Sequence, residues 1–494
     1  MSLSSEQRPE FCAPGHYRNR VRIDRSDRLH RTARSVGNAP ASMPAGIRAR
    51  LRALASPRAN AGSVGTVAHR FLLTLFFLVT TSAELFRVHH ADALFAEDGK
   101  NFIGDWLRRP SIWLLFSPYD GYQQFIPRVV SALAVMTSGV ASWGTAVTVL
   151  SCATVGGICT MILLLGRDVV SFWPARFLLA LIPVFCPLAG FEAVGNSNNL
   201  HWYLTYLMLW ILLSRPRSRA GQWLLAFAAL AATLTETQCV AFAPLVWWVW
   251  RQDRRRPSET LSRMGTLGGW ACGALVQGIT YLAEPGRDRG GRFDSWWRAV
   301  KGYVVEAVST DFYPTGRRLS PMVQSYGFWF AVIVGLLVLG AAVAASRLGP
   351  PAVRAAAVTA VWVSVLSWFV SYYINTHRRF TVVFADPFHR SVPAARWGTA
   401  AAMLLAAVIP LAVDSLIRRR PRWRMVGSGL LLTVALTLIA TSLAGQLHAD
   451  RRRSWSGAVA RGAGECRAHP TTNIKIAINP DTWFVTMPCS RLLS

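Results

Sequence analysis

Two adjacent carboxylates, Glu97 and Asp98, stand shortly beyond the end of the apolar run from Phe71 to Phe86. They belong to the segment Phe95-Ala96-Glu97-Asp98-Gly99. Ser117-Pro118-Tyr119-Asp120-Gly121-Tyr122 and Phe125-Ile126-Pro127-Arg128 follow. Acids, aromatic rings, glycine turns and an arginine thus gather in one stretch between apolar runs. A sugar transfer needs such a set. A carboxylate takes the proton from an attacking hydroxyl. A cation stabilises a phosphate leaving group. Aromatic rings offer flat apolar faces to sugar and lipid. The same stretch also reads as an ordinary polar loop with solvated acids.

Other candidates lie farther along. Glu192, Asn196, Asn198, Asn199 and His201 fall between two apolar runs. Polar groups at a membrane boundary need partners. They read either as a capped helix start, with Asn199 near the N-cap, or as a hydrogen-bonding wall facing Glu97 and Asp98. His201, Trp202 and Tyr203 suit a sugar or phosphate contact, and equally an interfacial anchor. Glu236, in Thr235-Glu236-Thr237-Gln238, is a solvated turn residue or lines the same cavity. The segment 375–397 is basic, with His377, Arg378, Arg379, His389, Arg390 and Arg396 against the single acid Asp386. Arginine makes bidentate contacts to phosphate oxygens, so lipid phosphate or simple headgroup contact accounts for it. No H-E-x-x-H, G-x-S-x-G or G-x-x-x-x-G-K-[ST] pattern occurs, which argues against a membrane protease, a serine hydrolase and a P-loop enzyme.

The elements that must position these residues are membrane helices. Apolar residues make up 52% of the 494-residue chain and charged ones 16%, against about 25% charged in a soluble chain. The apolar residues fall in blocks near the ~20 residues that cross a bilayer core. The reading is an all-α polytopic membrane protein with about eleven spans, near 67–87, 143–166, 173–191, 199–214, 221–236, 237–250, 264–283, 326–346, 354–374, 398–417 and 425–444. Residues 1–66 hold twelve Arg and few large apolar groups, and read as a disordered basic cytoplasmic tail. Met43 offers a second start site. Residues 67–444 form the transmembrane domain and 445–494 an extracytoplasmic tail. With the N-terminus inside, the turns R-P-R-S-R, R-Q-D-R-R-R and R-R-R-P-R-W-R all fall on the cytoplasmic side of the cell membrane, as the charge rule requires. The net charge of +28 is therefore assigned to topology and anionic lipid rather than to nucleic acid. Phe125 to Val140 is too short to span and carries Arg128, so it reads as a helix on the outer surface. Counting it as a span would reverse every later loop. Of the eight Cys, Cys152, Cys159, Cys186, Cys239 and Cys272 read as inert thiols in or beside apolar blocks. Cys466 and Cys489 alone lie in the polar C-terminal segment, and form one disulfide if that segment is outside.

The layout resembles the GT-C superfamily of membrane glycosyltransferases, which use polyprenyl-phosphate-linked sugars. The resemblance rests on Glu97-Asp98-Gly99, Pro118 to Tyr122 with Pro127-Arg128, the surface helix, and Gly195-Asn-Ser-Asn-Asn-Leu-His-Trp-Tyr-Leu204. It covers residues 70–440, and is strongest to GT-C-like membrane proteins of actinobacteria. It implies a first-loop carboxylate as base or metal ligand, Asp98 first and Glu97 second. It also implies a late-loop basic residue on the lipid phosphate, Arg396 or Arg378, and with the residue readings above the candidate substrate pocket is Tyr119, Asp120, Tyr122, Arg128, Asn196, Asn199, His201, Trp202, His377, Arg378 and Arg396. Arg396-Trp397 resembles the Arg-Tyr that opens a late helix in relatives. The E-D pair departs from the D-D or D-x-D of some relatives, and leaves a divalent cation, Mg or Mn, as a cofactor only if it bridges carboxylate and phosphate. The partners implied are the lipid bilayer, a polyprenyl-phosphate sugar, and a glycan, glycolipid or protein acceptor. The rival readings are a flippase or exporter of lipid-linked saccharide, and a non-catalytic GT-C-like assembly protein.

Overall fold

The structure is a computed structural model of the 494-residue chain. It describes residues 58–88, 90–190, 193–254, 257–284, 295–313, 325–375, 396–444 and 453–493. Glu192 and the basic segment 376–395, with His377, Arg378, Arg379, His389 and Arg390, lie outside the described residues, as do residues 1–57. The chain divides into Met1–Phe71 and Leu72–Ser494.

Long apolar helices make the body. They are α1 (Arg58–Phe86), α2 (Phe125–Thr137), α3 (Trp143–Leu165), α4 (Trp173–Phe185), α5 (Leu200–Leu213), α6 (Arg219–Thr233), α7 (Ala243–Asp253) and α8 (Pro257–Ala283). After α9 (Trp296–Gly302) come α10 (Trp329–Leu348), α11 (Pro351–Asn375), α12 (Thr399–Ala406), α13 (Val408–Arg419) and α14 (Arg424–Ala444). Among the described residues, seven helical stretches are long and apolar enough to cross a membrane: Val67–Phe86, Val140–Asp168, Trp173–Gly190, Trp329–Leu348, Pro351–Ile374, Arg396–Arg419 and Pro421–Ala444. Leu336, Leu337, Leu432 and Leu436 point outward from them and are exposed. Lipid accepts such surface, and water does not. The protein is an all-α membrane protein in its main body.

The four other expected spans coincide with α5, α6, α7 and α8. Every residue of α5 is buried. Its 14 residues extend about 21 Å at 1.5 Å each, short of a bilayer core. It is a central post rather than a lipid-facing span, which explains why it reads as apolar on all sides.

Helix α2 keeps both ends at one end of the bundle. At its start the Phe125 N–H donates to Leu234 O at 3.3 Å, in the turn after α6. Just past its end, Val140 O accepts from Trp455 Nε1 at 2.6 Å. At 13 residues the helix is shorter than the ~20 that cross a bilayer core.

The arginine-rich turns gather at the opposite end, each stapled by a short acid. Asp168 accepts from Arg217 Nη2 at 3.0 Å and from the Arg215 N–H at 2.8 Å. Asp414 accepts from the Phe172 N–H, the Ser171 N–H and hydroxyl, and Arg418 Nε. Arg419 Nε donates to Leu348 O.

The C-terminal segment departs from the expected tail. It folds into helix α15 (Trp455–Ala468), an antiparallel hairpin of β1 (Asn473–Ala477) and β2 (Phe484–Pro488), and helix α16 (Cys489–Leu493). Cys466 and Cys489 join the two helices by a disulfide. Ile476, Val485 and Met487 are buried while Lys475 and Thr486 are exposed, a period-2 pattern that gives the hairpin one apolar face.

Labelling with a membrane-impermeant maleimide tests the arrangement. In a Cys12→Ser, Cys272→Ser background, Gly139→Cys and Asp481→Cys should label from one side of the membrane, and Arg217→Cys only from the other. Labelling of Gly139→Cys and Asp481→Cys from opposite sides would make α2 a span.

Candidate functional site

The site begins with a contact between two polar loops. After α1 the chain runs to Glu97 and enters a helical stretch, Asp98–Ile103 continued by Gly104–Arg108. Asp98 is fully buried. Its Oδ1 accepts from the Ser197 hydroxyl at 2.7 Å and the Asn198 N–H at 2.9 Å, and its Oδ2 from the Ser197 N–H at 3.0 Å. Burial pushes its carboxyl up from 3.8 to about 7, against the pull of these hydrogen bonds, and the Glu97 charge adds to the rise. Asp98 does not line the cavity described next. The expectation that it leads the chemistry is corrected: it docks the first loop on the second.

Its neighbour turns the other way. Glu97 lines a cavity of about 430 Å³. Its carboxylate has no hydrogen-bond partner among the described residues, and Oε2 is shielded from solvent. Ala96, just before it, is held in the left-handed region at φ 35°, and its N–H donates to Asn479 O at 2.5 Å. That turn aims consecutive carboxylates at different targets.

Tyr119, Asp120 and Tyr122 also line the cavity. Their placement follows from local chemistry. Tyr119 and Tyr122 pair backbone to backbone at 2.9 and 3.3 Å, around Asp120 at φ 54° and Gly121 at φ 84°. Two positive φ values define the turn that Asp-Gly favours. Tyr119 stands edge-on to Phe102, with centroids 6.0 Å apart.

The third wall is the start of α5 and the turn after α6. Asn198, Asn199, His201 and Trp202 line the cavity with Glu236, Thr237 and Gln238. His201 Nδ1 is hydrogen-bonded to Glu236 Oε2. Glu236 Oε1 accepts from the Gln238 N–H at 2.8 Å and the Thr237 hydroxyl at 3.2 Å. The Trp202 ring lies 3.9 Å from His201, centroid to centroid. Val370, Ser371 and Ile374 of α11 and Arg396 and Trp397 before α12 form the fourth wall.

Two expected residues stand elsewhere. Arg128 is buried beneath the loop, paired with Asp105 at 2.9 Å and lying 5.2 Å from the Phe102 ring. It fastens α2 to the first loop and does not reach the cavity, because Asp105 neutralises it on the way. Asn196 is buried, its amide has no partner among the described residues, and it does not line the cavity.

The C-terminal lobe supplies residues with no motif to announce them. Pro480 and Trp483 line the cavity. The lobe is clamped on the first loop: Asp92 accepts from Ser454 and Ser456, Asn479 bonds Leu94 and Ala96, and Trp455 stacks on Trp143. Gly99 allows the close fit, since a Cβ there would meet Ile478 Cδ1 at 2.7 Å.

Among the described residues no three His, Cys, Asp or Glu come together as ligands, and Glu97 and Asp98 diverge.

Two predictions follow from this geometry. Because the folded-state carboxyl of Asp98 titrates near 7 instead of 3.8, ionising it opposes folding. Its stability contribution is full below pH 4 and declines as pH rises to about 7. Thermal unfolding of wild type should lose ground to Asp98→Asn by up to about 1.4 kcal/mol per pH unit across that window, with no further change above it. Replacing Cys466 and Cys489 by Ser should destabilise the lobe by about 3 kcal/mol, read as faster proteolysis between Trp455 and Leu493 with the helical body intact.

No protein-family model matches the chain, and no curated protein matches it in sequence.

Proposed function

We propose that the protein is a membrane glycosyltransferase, moving a sugar from a polyprenyl-phosphate donor to an acceptor on the outer face of the cell membrane. The observation that carries the reading is Glu97. It is a carboxylate without a hydrogen-bond partner among the described residues, set in a cavity of about 430 Å³, within the range that holds small ligands. Aromatic rings and Arg396 share that cavity.

Charge supports the orientation. The cavity lies at the end of the bundle opposite the Arg-rich turns, and such turns stay in the cytoplasm. The N-terminus is then inside, and the C-terminal lobe with its disulfide outside. The location supports a lipid-borne donor. Val370, an exposed apolar residue, lines the cavity and gives an isoprenoid chain an apolar edge to lie against while its headgroup reaches the polar pocket.

In the proposed reaction Glu97 takes the proton from the acceptor hydroxyl. The hydroxyl oxygen attacks the anomeric carbon from behind, and the phosphate leaves with inversion. Arg396 balances phosphate charge. Tyr119, Tyr122 and Trp202 shape the sugar site, and Asp98 keeps the two loops together.

Glu97→Gln should lower transfer by about 10²–10⁴-fold while the protein stays folded and inserted. The measurement is the envelope glycan profile of cells carrying the variant against wild type. A carrier that only flips lipid-linked saccharide would keep its activity in Glu97→Gln, and that result ends the transferase reading.

A further inference from the structure

We infer that the turn between α13 and α14 holds the headgroup of an anionic phospholipid, with Arg420, Arg422 and Arg424 on its phosphate oxygens and the start of α14 against its acyl chains. The turn lies at the end of the bundle away from the cavity. Such a site needs only that the chain crosses a membrane, and it stands whether or not the cavity transfers a sugar.

Five of the seven residues from Arg418 to Arg424 are arginine, and their surroundings divide them. Arg418 Nε is paired with Asp414 at 2.6 Å, and its Nη2 donates to Val169 O at 2.9 Å. Arg419 Nε donates to Leu348 O at 3.0 Å. Arg420, Arg422 and Arg424 are exposed, and their guanidinium groups have no ion pair or hydrogen bond among the described residues. Arg347, in the last turn of α10 beside Leu348, is exposed as well. Asp414 is the only acid in α13, the turn and α14. It is fully buried and already accepts from Arg418, Ser171 and Phe172. Other Arg-rich turns are balanced differently: Asp168 takes Arg217, and Asp253 takes Arg263.

The turn is held in shape. Arg422 sits within a single 3-10 turn, Pro421–Trp423, and Arg420 and Arg424 flank it. The Trp423 N–H closes that turn on Arg420 O at 3.0 Å. Helices α13 and α14 meet closely beside it, since a Cβ on Gly427 would meet Ile417 Cδ1 at 2.7 Å. Three cations are thus set near one another with no counter-charge from the described residues.

Exposed apolar side chains follow the cations directly. Met425 and Val426 are 86% and 61% exposed, and Trp423 is exposed too. Pro421–Ala444 is one of the stretches long and apolar enough to cross a membrane. These side chains therefore begin a lipid-facing surface that Leu430, Leu432 and Leu436 continue. An occupant that satisfies both features joins an anion to an apolar tail. The arginine fork meets phosphate oxygens two at a time, and a tryptophan ring suits the level between headgroup and chain. An anionic phospholipid has both parts. Its net negative charge, which a zwitterionic lipid lacks, is what unspent cations select.

Native mass spectrometry of the full chain tests the site. The protein is released from micelles holding equal amounts of phosphatidylglycerol and phosphatidylcholine with the same acyl chains. Wild type should retain phosphatidylglycerol in preference to phosphatidylcholine. Changing Arg420, Arg422 and Arg424 together to Gln should weaken phosphatidylglycerol binding roughly 10- to 100-fold. Arg422→Gln alone leaves the other arginines of the turn to hold the topology, and should weaken it about fivefold. Arg251→Gln with Arg254→Gln, at another Arg-rich turn, should leave it unchanged, and excess inorganic phosphate should not displace the lipid. Equal retention of the two lipids, or wild-type binding in both turn variants, would overturn the site. So would equal weakening by the Arg251 and Arg254 changes, the mark of diffuse attraction, or displacement by inorganic phosphate, the mark of a simple anion site.

Discussion

The carboxylate of Asp98 joins two loops that are distant in the chain. Three donors from Ser197 and Asn198 converge on it in a space closed to water. An unpaired acid there would be costly, and an unpaired pair of backbone N–H groups also. Each side therefore needs the other. The docking brings Glu97 on one loop to the same cavity as Asn198, Asn199 and His201 on the other. The C-terminal lobe is tied to the same loop through Asp92, Gly99 and the Ala96–Asn479 hydrogen bond.

The bundle beneath is organised by a separation of charge. Arginine clusters and their short acids occupy one end, where Asp168 and Asp414 tie turns together. Acids with aromatic and amide groups occupy the other. Between them the described helices are apolar apart from small internal pairs, such as Glu84 with Arg87 at 3.2 Å. Tyr203 of α5 donates to Glu84 at 3.1 Å, and Arg87 reaches Cys186 O at 3.0 Å. These links fix the top of α1 to the central post and to the end of α4. They set the height from which the first loop departs, and so the height of Glu97.

What the sequence revealed depended on the range of the interaction. Turn chemistry is local, and Tyr119-Asp120-Gly121-Tyr122 could be read as a turn presenting two rings because Asp and Gly at its centre tolerate positive φ. The short helix Phe125–Thr137 was legible because the apolar run there is brief. The roles of Glu97 and Asp98 were not. Both are acids, adjacent, and equally polar by composition. Only the donors that meet one of them, about a hundred positions away in the chain, decide which is buried. Arg128 failed for the same reason: its partner Asp105 sits 23 residues upstream, and nothing local tells a paired arginine from a free one. The C-terminal hairpin is hard to read because five-residue strands carry a weak period-2 signal. Yet Ile474, Ile476 and Ile478 alternate with Lys475 and Ala477 in the sequence, so the signal was present.

The lobe also supplies part of the cavity wall that the helices cannot. Helices in lipid present side chains at their ends but cannot roof over the space between them, since irregular backbone there must find partners for its N–H and C=O groups. A lobe built outside the helix bundle has no such restriction. Its hairpin satisfies its own backbone, and the disulfide holds its two helices together across a small core. It can then lay Trp483 and Pro480 over the polar end of the bundle. Lys100 lies 4.9 Å above the Trp483 ring, so the roof is fastened to the same helical stretch that begins with Asp98. Loop, lobe and post meet around one cavity, and the acid that docks the loop also sets the position of its roof.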